Sequence, residues 1–154
     1  MPKFELNEDR KREIIGFKAL TQDRTPWGQS DPYAPYDGWI NHDRDIAIEW
    51  KFKNINFADI DSVFMDEAKL VGLRASKVRF KKVLYFAVCN GMAYYLEIDD
   101  IKGEPPREMF CRKDRLHLSG NYSRMVCKID KKLFKKWKFI KGVKKNAQRK
   151  MVIR

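Results

Sequence analysis

Residues 82–89 read KVLYFAVC. A near-continuous apolar run of this length suits a central strand buried on both faces. Asn90-Gly91 follows at once, the dipeptide that favours a type I′ turn because both central residues need positive φ. Residues 92–98 then return as the antiparallel partner strand. A sheet of this kind needs helices packed against it, and the rest of the chain supplies candidates, so the class is α/β.

The first candidate helix covers 7–20. Glu8 and Asp9 complement the dipole of its first turn, and Ile14, Phe17 and Leu20 cluster on one face at 100° per residue. Glu13 falls within that packing face, either as half of a boundary salt bridge with an arginine or as a functional acid. Residues 21–35 are rich in Pro, Gly, Asp and Ser and read as a loop. That loop also carries Arg24, Trp27 and Tyr33, which suit either gripping a ligand or anchoring the loop. A second helix is expected from Asp59 or Asp61 to Ala75, with Phe64, Ala68, Val71 and Ala75 as its apolar face. Beyond residue 106 a strand over 122–129 is expected, followed by a short helix capped by Asp130 and containing Leu133, Phe134 and Trp137.

Between these helices lie two β-rich runs, 36–40 and 46–52, joined by the polar stretch 41–45. The spacing predicts a hairpin. Residues i and i+2 of a strand share a face, so Glu49 and Lys51 project together while Trp50 points the opposite way. Pairing of the two runs would bring Asp37 beside Glu49. Two carboxylates and an ammonium in one place are costly unless something binds there, and a hard divalent cation resolves the conflict. Asp37, Glu49 and the Trp50 carbonyl offer oxygens to Mg²⁺, with Mn²⁺ able to substitute. Lys51 can support an attacking water or the charge that develops on a phosphate. The alternative is a strand edge held by a salt bridge.

Charge is divided unevenly along the chain. Residues 1–106 hold 16 Lys and Arg against 18 Asp and Glu, while residues 107–154 hold 17 against 3. A net of −2 followed by +14 points to a polyanion partner for the last third. Arg24, Lys53, Lys131, Lys132, Lys135, Lys136, Lys138, Lys144 and Lys145 are the candidate phosphate contacts. Cys89, Cys111 and Cys127 form no CxxC pair and have only His42 and His117 near in type. They read as free thiols of a reducing compartment rather than a zinc site. No run of 18 apolar residues and no apolar signal region is present, which implies no membrane and a cytoplasmic or nucleoid-associated location.

Pro35-Tyr36-Asp37 and Glu49-Trp50-Lys51, in the order helix, strands, helix, strand, resemble the PD-(D/E)xK nuclease superfamily. Their spacing is most similar to small archaeal and phage Holliday-junction resolvases, which admits a viral origin. The proline stands one position early, with Tyr36 in its place. Glu13, 24 residues before Asp37, matches the acid that those enzymes carry in a short first helix. The resemblance covers roughly residues 7–90. It implies a restriction-endonuclease-like core of helix, mixed sheet and helix; the basic C-terminal extension, divided from that core near residue 106, is read from charge alone. It further implies Mg²⁺-dependent cleavage of double-stranded or branched DNA, often by a homodimer, with Glu13, Asp37, Glu49 and Lys51 catalytic. The rival expectation is a non-catalytic nucleic-acid-binding protein that relies on the basic last third. An RNA-binding factor is a third, weakened by the lack of paired aromatics on one strand.

Overall fold

The computed structural model describes residues 7–22, 24–112 and 122–140. In chain order these form α1 (Asn7–Thr21), β1 (Trp27–Gln29), β2 (Gly38–Ile40), β3 (Ile46–Lys53), β4 (Ser62–Asp66), α2 (Glu67–Ser76), β5 (Lys82–Cys89), β6 (Met92–Glu97), β7 (Arg107–Arg112), β8 (Tyr122–Asp130) and β9 (Lys135–Phe139). Three-residue 3₁₀ turns stand at Phe57–Asp59, Ile98–Asp100 and Lys131–Leu133. The fold is α/β: among the described residues, two helices accompany a mixed six-strand sheet ordered β1-β2-β3-β5-β6-β9 and a three-strand antiparallel sheet ordered β4-β8-β7.

β5 lies at the centre of the large sheet, parallel to β3 and antiparallel to β6. Its side chains alternate between two cores. Phe86 and Val88 join Phe17, Ile48, Trp50 and Phe52 on the α1 face. Val83, Tyr85, Ala87 and Cys89 join Leu70, Leu73, Val63 and Met65 on the face covered by α2 and the small sheet. Burial on both sides is why the run reads as continuously apolar. Asn90 (φ 48°) and Gly91 (φ 88°) make the predicted tight turn into β6.

On the α1 face, aromatic rings carry the packing. Phe17 stacks on Trp27 at 5.1 Å and meets Trp50 edge-on at 5.7 Å. Trp50 in turn lies 4.5 Å from Phe86. Trp27 is therefore a core anchor, and it belongs to β1, a strand inside the stretch expected to be loop. Three residues are too few to show a period, and only pairing with β2 makes them a strand. Gly38 opens β2 where the layers are closest. A methyl group there would run into the Gly28 carbonyl oxygen and the Phe17 ring. Gly38→Ala is therefore expected to destabilise by about 3 kcal/mol, the upper end of overpacking costs, read from the urea midpoint. An unchanged midpoint would mean that β1 and β2 part freely.

The helix expected over 59–75 divides in two. Ser62–Asp66 is a strand with Val63 and Met65 buried and Phe64 turned out, and the helix starts only at Glu67. Its buried residues are Leu70, Leu73 and Ser76, while Val71 is 62% exposed. The expected apolar face is thus on the wrong side. Counting Phe64 as helical set the phase of the wheel, whereas the period-two stretch before Asp66 belongs to a different element.

β8 pairs with β4 and β9 with β6, while β7 joins the small sheet through β8. Asp130 caps a 3₁₀ turn by accepting a hydrogen bond from the Lys132 N–H at 2.9 Å. The expected helix there stops at Leu133, and Trp137 lies in β9, where it packs on Phe86. A local cap cannot prolong a helix once the β6 edge offers backbone partners. Among the described residues no helix is long and apolar enough to cross a membrane.

Candidate metal and phosphate site

β2 pairs antiparallel with β3 over Gly38–Ile40 only, in the register Gly38↔Ile48 and Ile40↔Ile46. The Asp37 N–H still donates to the Ile48 carbonyl at 2.9 Å. Beyond that point β2 has ended, and on that side β3 continues with no strand beside it among the described residues. The Asp37 carboxylate fills the gap: its Oδ2 accepts a 2.7 Å hydrogen bond from the Trp50 N–H. A strand N–H lies in the plane of the sheet, so the carboxylate sits in that plane at the open edge. The Trp50 carbonyl is directed to the same side of β3 as its N–H. Asp37 and Glu49 are both buried, at 3% and 4% exposure.

Below Ala47, the α2-facing side of β3 turns polar at Glu49, Lys51 and Lys53, while Trp50 and Phe52 stay in the α1 core. These three polar side chains share one face because they are two residues apart. They open into a cleft of about 270 Å³ that is also lined by Asp66, Lys69, Tyr85 and Arg124. Lys69 Nζ stands 2.9 Å from Glu49 Oε2 and donates to the Pro35 carbonyl at 3.0 Å. Arg124 Nε stands 3.2 Å from Asp66 Oδ1.

Lys53 carries its charge at a cost. Burial, then the nearby Lys51 ammonium, pull its pKa below the ordinary value of 10.5. The unfolded chain thus holds that proton more tightly than the fold does. This group therefore lowers stability at neutral pH, and the loss is relieved as pH rises from the native value towards 10.5. Lys53→Met is expected to melt above wild type at pH 7, with the gap closing as pH nears the unfolded value. A lower melting point at pH 7 would show that the ammonium contributes net stability. Tyr85 has its pKa raised well above the usual phenol value, by burial first and then by the Glu49 charge. It remains a protonated donor in the cleft.

Glu13 is 3% exposed and lies on the α1 side of the sheet, one turn before Phe17. It accepts a hydrogen bond from Gln29 Nε2 at 3.3 Å, and Arg10 lies 4.0 Å away. Gln29 is paired with Gly38, so Glu13 approaches the head of β2 from one face while Glu49 and Lys51 project from the other. Among the described residues no three Asp, Glu, His or Cys side chains converge closely enough to hold one ion. Asp37, Glu49 and the Trp50 carbonyl remain as oxygen donors. This set fits Mg²⁺, which keeps several waters and takes one or two carboxylates.

The basic residues are distributed otherwise than their order in sequence suggests. Lys131, Lys132, Lys135, Lys136 and Lys138 lie on β9 and the turn before it, at the far edge of the sheet. β9 is three strand positions from β3, roughly 14 Å at about 4.8 Å per strand. Lys138 is tied to the Ala19 carbonyl at 3.0 Å. Arg24 is exposed in the turn after α1, beyond the end of the helix from Glu13. Lys144 and Lys145 lie outside the described residues. Of the phosphate contacts expected from sequence that fall among the described residues, Lys53 alone lines the cleft. Lys69 and Arg124 line it too and are absent from the set that the sequence suggests. Lys69 stands one turn before the buried Leu73, a phase visible only once the helix is known to start at Glu67. Cys89 and Cys127 are buried free thiols whose pKa values burial raises.

No protein-family model matches the chain, and no curated protein matches it.

Proposed function

We propose that the chain is a Mg²⁺-dependent DNA endonuclease whose centre is Asp37, Glu49 and Lys51. The observation that carries this reading is the Trp50 N–H to Asp37 hydrogen bond, which sets a buried carboxylate at the open edge of the strand that carries Glu49 and Lys51. The order α1, antiparallel β2–β3, α2, parallel β5 is the one expected of a PD-(D/E)xK core. A bound Mg²⁺ would neutralise charge at the phosphate and acidify the attacking water. Asp37, Glu49 and the Trp50 carbonyl would hold it. Lys51 orients that water or faces the charge that builds on the phosphoryl oxygens. Glu13 supports the same edge from the α1 side, through Gln29. Branched DNA is the substrate suggested by the likeness in spacing to junction resolvases.

One observation favours a non-catalytic nucleic-acid-binding protein instead: Lys69 already neutralises Glu49 at 2.9 Å. The two readings part on incubation with supercoiled plasmid and a synthetic four-way junction, with Mg²⁺ or with EDTA. Nicking that requires Mg²⁺ is the expected result. Binding without cleavage in either Mg²⁺ or Mn²⁺ would establish the non-catalytic reading.

A further inference from the structure

The small sheet supplies the far wall of the cleft. Strand partners share a face, so Phe64, Asp66, Val126, Arg124, Glu108 and Phe110 all lie on one side of it. The opposite side carries Val63, Met65, Cys127 and Ile129 into the core. A solvent-facing side of this kind would ordinarily be polar, yet Phe64 is 43% exposed and Phe110 37% exposed. Both rings line the cleft with Glu49, Lys51 and Lys53. Arg124 lies over the Phe110 ring at 5.3 Å. Across from these rings stand the Lys51 and Lys53 ammonium groups, with Lys53 Nζ 3.5 Å from the Phe64 carbonyl. Two ammonium groups sharing a face, opposite exposed aromatics, are complementary to an anion that carries a flat apolar body.

We propose that this cleft takes one unpaired nucleotide of a DNA strand, with its base against Phe110 and Phe64 and its phosphates on Lys51 and Lys53. The inference rests on the nuclease reading for its orientation, since the strand so held runs past Glu49. It names the substrate class that reading leaves open: DNA with a single-stranded segment, such as a fork or flap, in preference to uninterrupted duplex. A paired base cannot present its face to a ring, whereas an unpaired base of any sequence can, so recognition depends on structure and tolerates sequence. At about 270 Å³ the cleft is at the small end of ligand sites, suited to a nucleotide rather than to a duplex.

The test is fluorescence anisotropy in EDTA, so that binding is read without cleavage. The probes are a 20-mer oligothymidylate, a blunt duplex of the same length and a fork with one single-stranded arm. Wild type is expected to bind the oligothymidylate and the fork more tightly than the duplex. Phe110→Ala, at an exposed position, should weaken the first two by about tenfold and leave duplex affinity unchanged, while Phe110→Tyr retains the preference. Lys53→Gln should make single-strand binding less dependent on salt. Circular dichroism and melting curves check that each variant is folded. Equal affinity for duplex and single strand, or a Phe110→Ala protein that binds the oligothymidylate like wild type, would overturn the proposal. Single-strand preference in EDTA together with an uncut plasmid in Mg²⁺ would leave it standing and remove the nuclease reading instead.

Discussion

Lys51→Ala is expected to remain folded and to lose DNA cleavage by a factor of about 10²–10³, the usual loss when one preorganised group at the developing charge is removed. Lys51 is exposed on β3, so its truncation leaves no buried gap. It also relieves the repulsion that helps to lower the Lys53 pKa, and the melting temperature should stay level or rise. The measurement is plasmid nicking over time in Mg²⁺, with melting followed in parallel. Binding of the fork in EDTA should fall only a few-fold, because Lys53 and the rings remain. If Lys51→Ala nicks plasmid as fast as wild type, Lys51 has no part in the chemistry and the proposed centre is wrong.

The second large effect is at Asp37, where two substitutions separate chemistry from architecture. Asp37→Asn keeps an oxygen that can accept from the Trp50 N–H, so the edge of the sheet should hold and the melting temperature should stay near that of wild type. It removes the charge that a divalent ion needs, and cleavage should fall by about 10²-fold or more. Asp37→Ala loses the charge and the acceptor together. The Trp50 N–H, whose 2.7 Å bond lies in buried surroundings, is left without its partner, at a cost of about 1–3 kcal/mol. For a chain of this size that lowers the melting temperature by roughly 2–4 °C per kcal/mol. Wild-type cleavage by Asp37→Asn would exclude Asp37 as a metal ligand. Equal melting of the Asn and Ala variants would show that the hydrogen bond contributes little to the edge.

Lys69 makes both results informative. It faces Glu49 from α2, the position an ion would contest. A divalent ion at the proposed site and the Lys69 ammonium would both answer the same buried charge, so metal affinity there would depend on how readily Lys69 withdraws. Its second bond, to the Pro35 carbonyl at 3.0 Å, anchors it to the segment that leads into Asp37. α2, β3 and the head of β2 thus meet at one lysine, 20 residues along the chain from Glu49 and 34 from Pro35.

The elements legible in the sequence are those whose signal is local. The 82–89 run, the Asn90-Gly91 turn and the inward position of Glu13 on α1 each follow from a handful of adjacent residues. The same is true of the Asp130 cap. What escaped depends on pairing at a distance. β1 is a strand because β2 lies beside it. β4 is one because β8, some 60 residues on, completes its ladder. A helical reading of β4 shifts the phase of α2 and hides Lys69.

Sequence alone determined that Glu49 and Lys51 share a face with Trp50 turned away, since alternation along an extended chain is set by covalent geometry. It determined as well that a central, doubly buried strand runs from 82 to 89. The tertiary structure decided what stands opposite those charges. Arg124 meets Asp66 across 58 residues, and β9 carries its lysines to the other edge of the sheet. Covalent geometry fixes where a side chain points from its own strand. The group it then meets is chosen by the packing of layers that lie far apart in the chain, where each close contact depends on all the others being made.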